Sequence, residues 1–267
     1  MKNTLKLLSI ILAVISLTLV ISAAKEESWK QIYTASDLVD AYNQNLFLPI
    51  NLIPSEAYDD TGYYFRVKAD APSGASLRFT LPEALDPQKI NTVVIGYRTN
   101  YPTVQEGASK YIGIDFPKDN TFNFSNVYAV YYYDRTPMET KNGIVSDEVI
   151  LNNVSSALGS ASEIKYIKIN PWNGKPLILD EGVELSQIYA DIEYIGFFES
   201  ASDAAKFDYD KYSEGTLDLN VHTITYNGKD GETLATEKAL DGMSVSPMTA
   251  PSIEYHDFLG WISVDGS

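Results

Sequence analysis

Three hydrophobic patterns follow one another along the chain. Residues 7–21 form a fifteen-residue apolar run without periodicity. Between residues 25 and 60 the pattern is mixed. There, Ser36-Asp37-Leu38-Val39-Asp40-Ala41-Tyr42 offers an N-cap candidate and apolar residues at helical spacing, which predicts a short helix. Pro49 and Pro54 exclude a long one. From Gly62 onward the period is two: Tyr63, Phe65, Val67 and Ala69 share one face of a predicted strand, Arg66 and Lys68 the other. Residues 76–80 alternate likewise, and 92–98 are nearly continuous apolar, as a central strand would be. Segments 111–116, 127–133, the short 149–151, 164–169 and 191–198 complete the series. Clusters of Gly, Pro, Asn and Asp separate them, and no helix-length segment lies between to make parallel crossovers. The prediction is an all-β fold, a sandwich rather than a parallel sheet. Ser200 caps two predicted helical turns over 200–207, and the polar residues 208–220 read as a linker.

The last residues carry a different organisation. His222-Thr223-Ile224-Thr225-Tyr226-Asn227-Gly228 is a strand pattern closed by an Asn-Gly turn, followed by Gly242-Met243-Ser244-Val245, Pro247, Pro251 and Tyr255-His256-Asp257-Phe258-Leu259-Gly260-Trp261. This order of turn and core positions resembles the Listeria–Bacteroides repeat, the internalin B-type repeat of bacterial surface proteins. The resemblance implies a small β-grasp-like module over 221–267, a modular surface protein and a role in binding. Because the repeat stops at Ser267, it is expected to be truncated there.

Ahead of it, Ile164-Lys165-Tyr166-Ile167-Lys168-Ile169-Asn170-Pro171-Trp172, Gly182 and Asp191-Ile192-Glu193-Tyr194-Ile195-Gly196-Phe197-Phe198 are similar to the last strands of galactose-binding-like jelly-roll domains, with Asn170 where such domains more often carry Asp. These are non-catalytic modules of bacterial surface proteins. The resemblance implies a jelly-roll β-sandwich over 25–207 that binds carbohydrate. It also implies a structural calcium where the first and last strands meet. Asp59, Asp60, Asp191 and Glu193 are oxygen donors in suitable places. Glu193 reads equally well as solvent-facing.

Composition narrows the setting. Lys2 and Lys6, the apolar run and Ser22-Ala23-Ala24 form a signal peptide over 1–24, and the run is shorter than the ~20 residues of a spanning helix. The expected location is secreted or on the bacterial cell surface, without membrane insertion after cleavage. With no cysteine there is no disulfide framework, thiolate metal site or lipid-attachment cysteine. Residues 1–24 hold two lysines and no acid, so removing them leaves 18 basic against 36 acidic residues, a formal charge of −18. That balance repels phosphate backbones and excludes nucleic acid as a partner.

Catalysis has little to stand on. The two histidines, His222 and His256, both lie in the terminal repeat, and no nucleophile elbow, phosphate loop or dinucleotide fingerprint occurs. Aromatic residues are the alternative source of chemistry, since a flat ring stacks on the C–H face of a pyranose at low entropic cost. Tyr97, Arg98 and Tyr101 at one strand end, Tyr131-Tyr132-Tyr133 with Asp134 and Arg135, and Trp172 in a turn are the candidates. Tyr97, Arg98, Tyr101, Tyr133, Arg135 and Trp172 are expected to bind the ligand; the other reading of Tyr97, the inward tyrosines and Trp172 is core packing. The expected function is non-catalytic glycan binding. The alternatives are an adhesin or scaffold contacting host or cell-wall protein, and a non-catalytic fragment of a secreted glycoside hydrolase.

Overall fold

A computed structural model describes residues 28–59, 62–101, 111–134, 139–141, 144–172, 176–179, 181–216, 221–228 and 231–240. The chain is an all-β jelly-roll sandwich. One sheet runs β3 (Leu52–Asp59), β4 (Gly62–Ala69), β12 (Tyr189–Phe198), β6 (Thr92–Thr99), β10 (Ile144–Asn152) and β9 (Glu139–Lys141). Its seventh strand, β1 (Lys30–Thr34), pairs the second half of β12 along the edge whose first half pairs β4. The facing sheet runs β2 (Phe47–Ile50), β5 (Ser76–Leu85), β11 (Ile164–Asn170), β7 (Tyr111–Pro117) and β8 (Val127–Asp134). Every described pairing is antiparallel, including that of β13 (Val221–Asn227) with β14 (Thr233–Leu240).

The predicted strands from Gly62 to Phe198 are present, several of them longer than the sequence pattern alone shows. The N-terminal strands β1, β2 and β3 were not foreseen. Pro49 and Pro54 sit in β2 and β3, the edge strands of their sheets, where a missing N–H breaks no interior ladder. The predicted short helix is α1 (Ala35–Asn43), but its cap is Thr34 rather than Ser36. Thr34 accepts from the Asp37 amide, and the Asp37 carboxylate accepts from the Thr34 amide at 2.8 Å, a complete capping box.

The core is built by inward residues of both sheets, among them Phe47, Phe65, Leu77, Phe79, Ile114, Phe116, Ile167 and Phe197. β12 is buried on both sides, and its register on β6 shifts between Ile192 and Tyr194. This bulge keeps Ala190, Ile192, Ile195 and Phe197 inward and turns Tyr194 and Phe198 to the outer face. Gly96 and Gly196 make that possible, since a Cβ there would lie 2.7 Å from the Tyr194 ring and 2.6 Å from the Phe198 ring. Tyr194 and Phe198 are then covered by residues after the sandwich. After the short helix α2 (Val154–Leu158) that follows β10, helix α3 (Ala201–Ala204) is capped by Ser200, as the sequence suggests. The expected 208–220 linker begins instead with helix α4 (Tyr209–Thr216), whose Tyr209 is buried and stacks on Tyr194 at 4.3 Å, 12° between planes. Phe207 and Tyr212 complete this apolar strap, which polarity averaged over the segment conceals.

Of the terminal module, the structure describes the β13–β14 hairpin. Its turn opens at Asn227-Gly228, as predicted, with Gly231 at φ 81°. β14 itself was not foreseen, and residues 241–267, including His256 and Trp261, lie outside the described residues.

Candidate functional site

The outer face of the five-stranded sheet carries aromatic and charged side chains together: Tyr132 is exposed, Tyr111, Tyr166, Arg78 and Lys168 are half-buried, and Asp115 and Phe122 are buried. Strand registers assign the face. Across β11, β7 and β8, Lys168 pairs Asp115 and Asp115 pairs Val130, while Asn170 pairs Gly113 and Gly113 pairs Tyr132. On the other side Lys168 is opposite Arg78, which is opposite Leu48 on β2, and Tyr166 is opposite Thr80. These positions alternate with the buried Leu77, Phe79, Ile112, Ile114, Ile167 and Ile169, so they point away from the core.

Tyr132 is 53 % exposed, and its ring meets Tyr111 edge-on at 6.3 Å. The residue opposite it is Gly113, so no side chain from the neighbouring strand competes for the ring. Next to this aromatic pair, the Lys168 ammonium binds Asp115 at 3.2 Å, and the Asn170 amide nitrogen lies 3.5 Å from the same carboxylate. At the far end, the Arg78 guanidinium lies 5.8 Å from the Phe122 ring, which meets Tyr166 edge-on at 5.6 Å.

Phe122 reaches the face because the β7–β8 turn folds back. Asp119 accepts from the Thr121 amide at 2.9 Å, from the Thr121 hydroxyl at 2.5 Å and from the Asn126 amide at 2.5 Å, and Phe122 sits at φ 52°. The Thr121 hydroxyl, before the other donors, holds the Asp119 carboxyl below the usual carboxylate range. The face thus offers an exposed ring at the Tyr132 end with the half-buried Lys168 and Asn170 nearby, while Phe122 at the other end is buried over Arg78 and Tyr166. Such a surface can stack on a sugar ring and pair its hydroxyls.

The sequence-predicted ligand residues lie elsewhere. Tyr97 is buried in the core, and its hydroxyl donates to the Pro171 carbonyl at 3.1 Å. Tyr101 is 2 % exposed, its hydroxyl accepting from the Ile178 amide at 3.0 Å and donating to the Ile178 carbonyl at 3.3 Å. Trp172 is 1 % exposed. All three belong to the buried core cluster rather than to an exposed rim. In the triple-tyrosine segment the parity is the reverse of the choice made from sequence. Tyr131 and Tyr133 oppose Ile114 and Ile112 and pack on the core, which leaves Tyr132 outward. Arg135 lies outside the described residues.

Arg98 is buried on the other sheet, where its Nε donates to Asp191 at 2.7 Å and its guanidinium lies 3.5 Å over Tyr64. Arg66 grips the same carboxylate through Nε at 2.8 Å and Nη2 at 2.9 Å. Asp191, fully buried, is the shared anion of an arginine pair. Glu193 stands half-buried at the bulge, Asp59 is described only as the end of β3, and Asp60 lies outside the described residues. No cluster of three or more metal-ligating side chains occurs among the described residues. Tyr111, Tyr132, Tyr166, Arg78 and Lys168 were overlooked as a group. The alternation of 164–169 already set Tyr166 and Lys168 against the apolar side, and that was the usable signal.

No protein family model and no curated protein matches the chain. Among solved structures it is similar to a low-affinity xylan binding module of family 86 from Roseburia intestinalis, at 14 % identity and a TM-score of 0.35, over 66 % of this chain and 98 % of that one. It is also similar to a family 29 carbohydrate binding module from Piromyces equi, at 7 % identity and a TM-score of 0.34, over 69 % and 98 %. The glycoside hydrolase domain of Endo-D from Streptococcus pneumoniae aligns at 9 % identity and a TM-score of 0.36, over 58 % of this chain and 22 % of that one.

Proposed function

We propose that this chain is a secreted or cell-surface, non-catalytic glycan-binding protein whose ligand lies across the outer face of the five-stranded sheet. The observation that carries the reading is Tyr132, an exposed ring standing opposite Gly113 beside Tyr111, with Asp115 on the adjoining strand and Lys168 and Asn170 on the strand after it. A buried aromatic needs no ligand to account for it, whereas an exposed one flanked by fixed polar groups has the form of a stacking platform. The signal-like N-terminus supports an extracellular address. The internalin B-type repeat proposed for 221–267 supports a modular surface protein in which that unit is a spacer.

The test is binding of the full chain to a panel of plant, host and cell-wall polysaccharides by affinity electrophoresis and titration calorimetry. Tyr132→Ala is expected to weaken binding by about tenfold or more at unchanged melting temperature. Silence over the whole panel sinks the reading and leaves a protein-contacting scaffold in its place.

A further inference from the structure

The two ends of the candidate face differ in charge balance. Arg78 on β5 has its Nε buried, with no hydrogen-bond partner among the described residues. Its neighbours in register are Leu48 on one side and Lys168 on the other. Like charges directly opposite on adjacent strands repel, and here the only carboxylate of the row, Asp115, is engaged by Lys168. The row Leu48–Arg78–Lys168–Asp115 therefore carries two positive charges against one negative, in a chain whose net charge is −16. The same molecule treats its other described sheet arginines differently. Arg66 and Arg98 share Asp191 through three hydrogen bonds.

We infer that the Arg78 end of the face receives a carboxylate of the ligand, and that the preferred ligand is a uronic-acid-containing polysaccharide. This rests on the glycan-binding reading of the same face. The Arg78 guanidinium is half-buried with its Nε closed off, so a ligand carboxylate would be taken by its Nη groups, through two parallel N–H···O bonds. A monoanion there also brings the row to neutrality, which a sugar hydroxyl cannot do. Phe122 and Tyr166 flank the site and lower the local polarity, strengthening an ion pair made between them. From Arg78 to the Tyr132 platform is three strand spacings, roughly 14 Å, so one oligosaccharide can span both ends.

The experiment compares polygalacturonic acid and glucuronoxylan with neutral xylan and mixed-linkage glucan, using the full chain at fixed ionic strength. The uronate polymers are expected to bind about tenfold tighter than the neutral ones, and Arg78→Gln to remove that preference. Arg78→Lys keeps the charge without the fork and is expected to restore only part of it. Arg78→Gln should leave the melting temperature unchanged. Neutral polysaccharides bound as well as uronates, in a Tyr132-dependent way, would overturn this inference and leave the proposed function standing. An equal loss on both classes with Arg78→Gln would overturn it too, and binding to neither class overturns both readings.

Discussion

The outer faces of the two sheets begin from similar material and end in opposite states. Each presents tyrosines and arginines at positions that alternate with core residues. On the seven-stranded sheet the aromatics are closed over: Tyr194 and Phe198 lie under Phe207, Tyr209 and Tyr212, and Arg66 and Arg98 share Asp191. On the five-stranded sheet Tyr132 stays exposed, and the Arg78 Nε has no acceptor among the described residues. Aromatic and cationic content therefore does not identify a binding face. What separates the two is whether the chain supplies its own cover and its own counter-ion. Where it does, the groups are structural; where it does not, they are available to something else.

The largest expected effect lies on the closed face. Asp191→Ala leaves Arg66 and Arg98 facing each other without an anion and should cost about 3–5 kcal/mol in denaturant unfolding. A loss below 1 kcal/mol would show that the pair is wetter than its burial indicates, and the contrast between the faces would weaken. Next comes Gly196→Ala, whose Cβ meets a buried Phe198 ring at 2.6 Å; about 1–3 kcal/mol should be lost as the strap is displaced. Unchanged stability, with protection of the Tyr209 region intact in hydrogen exchange, would argue against a tightly packed strap.

A smaller effect appears on raising the pH. Burial pushes the Tyr33 hydroxyl up to about 12 from its usual 10.0. Burial, followed by the hydrogen bond to Glu148, raises Tyr194 further, and burial again leads for Tyr209. Because the folded values are raised, the stabilisation these groups give is complete below pH 10.0 and fades as pH climbs through the folded values. Tyrosinate absorbance should therefore rise in two stages, the second coinciding with loss of near-ultraviolet circular dichroism. A single stage with the fold intact would contradict the closed face. The smallest effect on stability is expected from Tyr132→Ala, within about 0.5 kcal/mol, though it should have the largest effect on polysaccharide binding. A destabilisation of 2 kcal/mol or more would place Tyr132 among the structural tyrosines and remove the contrast.

Much of the framework was readable in advance because strand formation leaves a local trace. Alternation in 63–69 and 164–169 and the nearly continuous apolar run of 92–98 each mark their strand without reference to the rest of the chain. The edge strands β2 and β3 were hidden by Pro49 and Pro54, whose effect depends on whether a neighbour needs their N–H. Helix α4 was hidden by its polar composition, since among its described side chains Tyr209 and Tyr212 are the ones that join the apolar cluster.

The sequence by itself determined that the chain is a β-sandwich with alternating strands, acidic, without cysteine and poor in catalytic groups. Only the tertiary structure decided which side of each alternation faces the core. For Tyr131-Tyr132-Tyr133 that choice is set by pairing with Ile112, Gly113 and Ile114, and a shift of one residue would exchange the buried and exposed rings. Likewise nothing local distinguishes Arg78 from Arg66 or Arg98. They differ because β12 carries Asp191 to two of them, while the strand beside the third brings Lys168. Charge pairing and cover are made between strands distant in sequence, so they belong to the fold and not to any one segment.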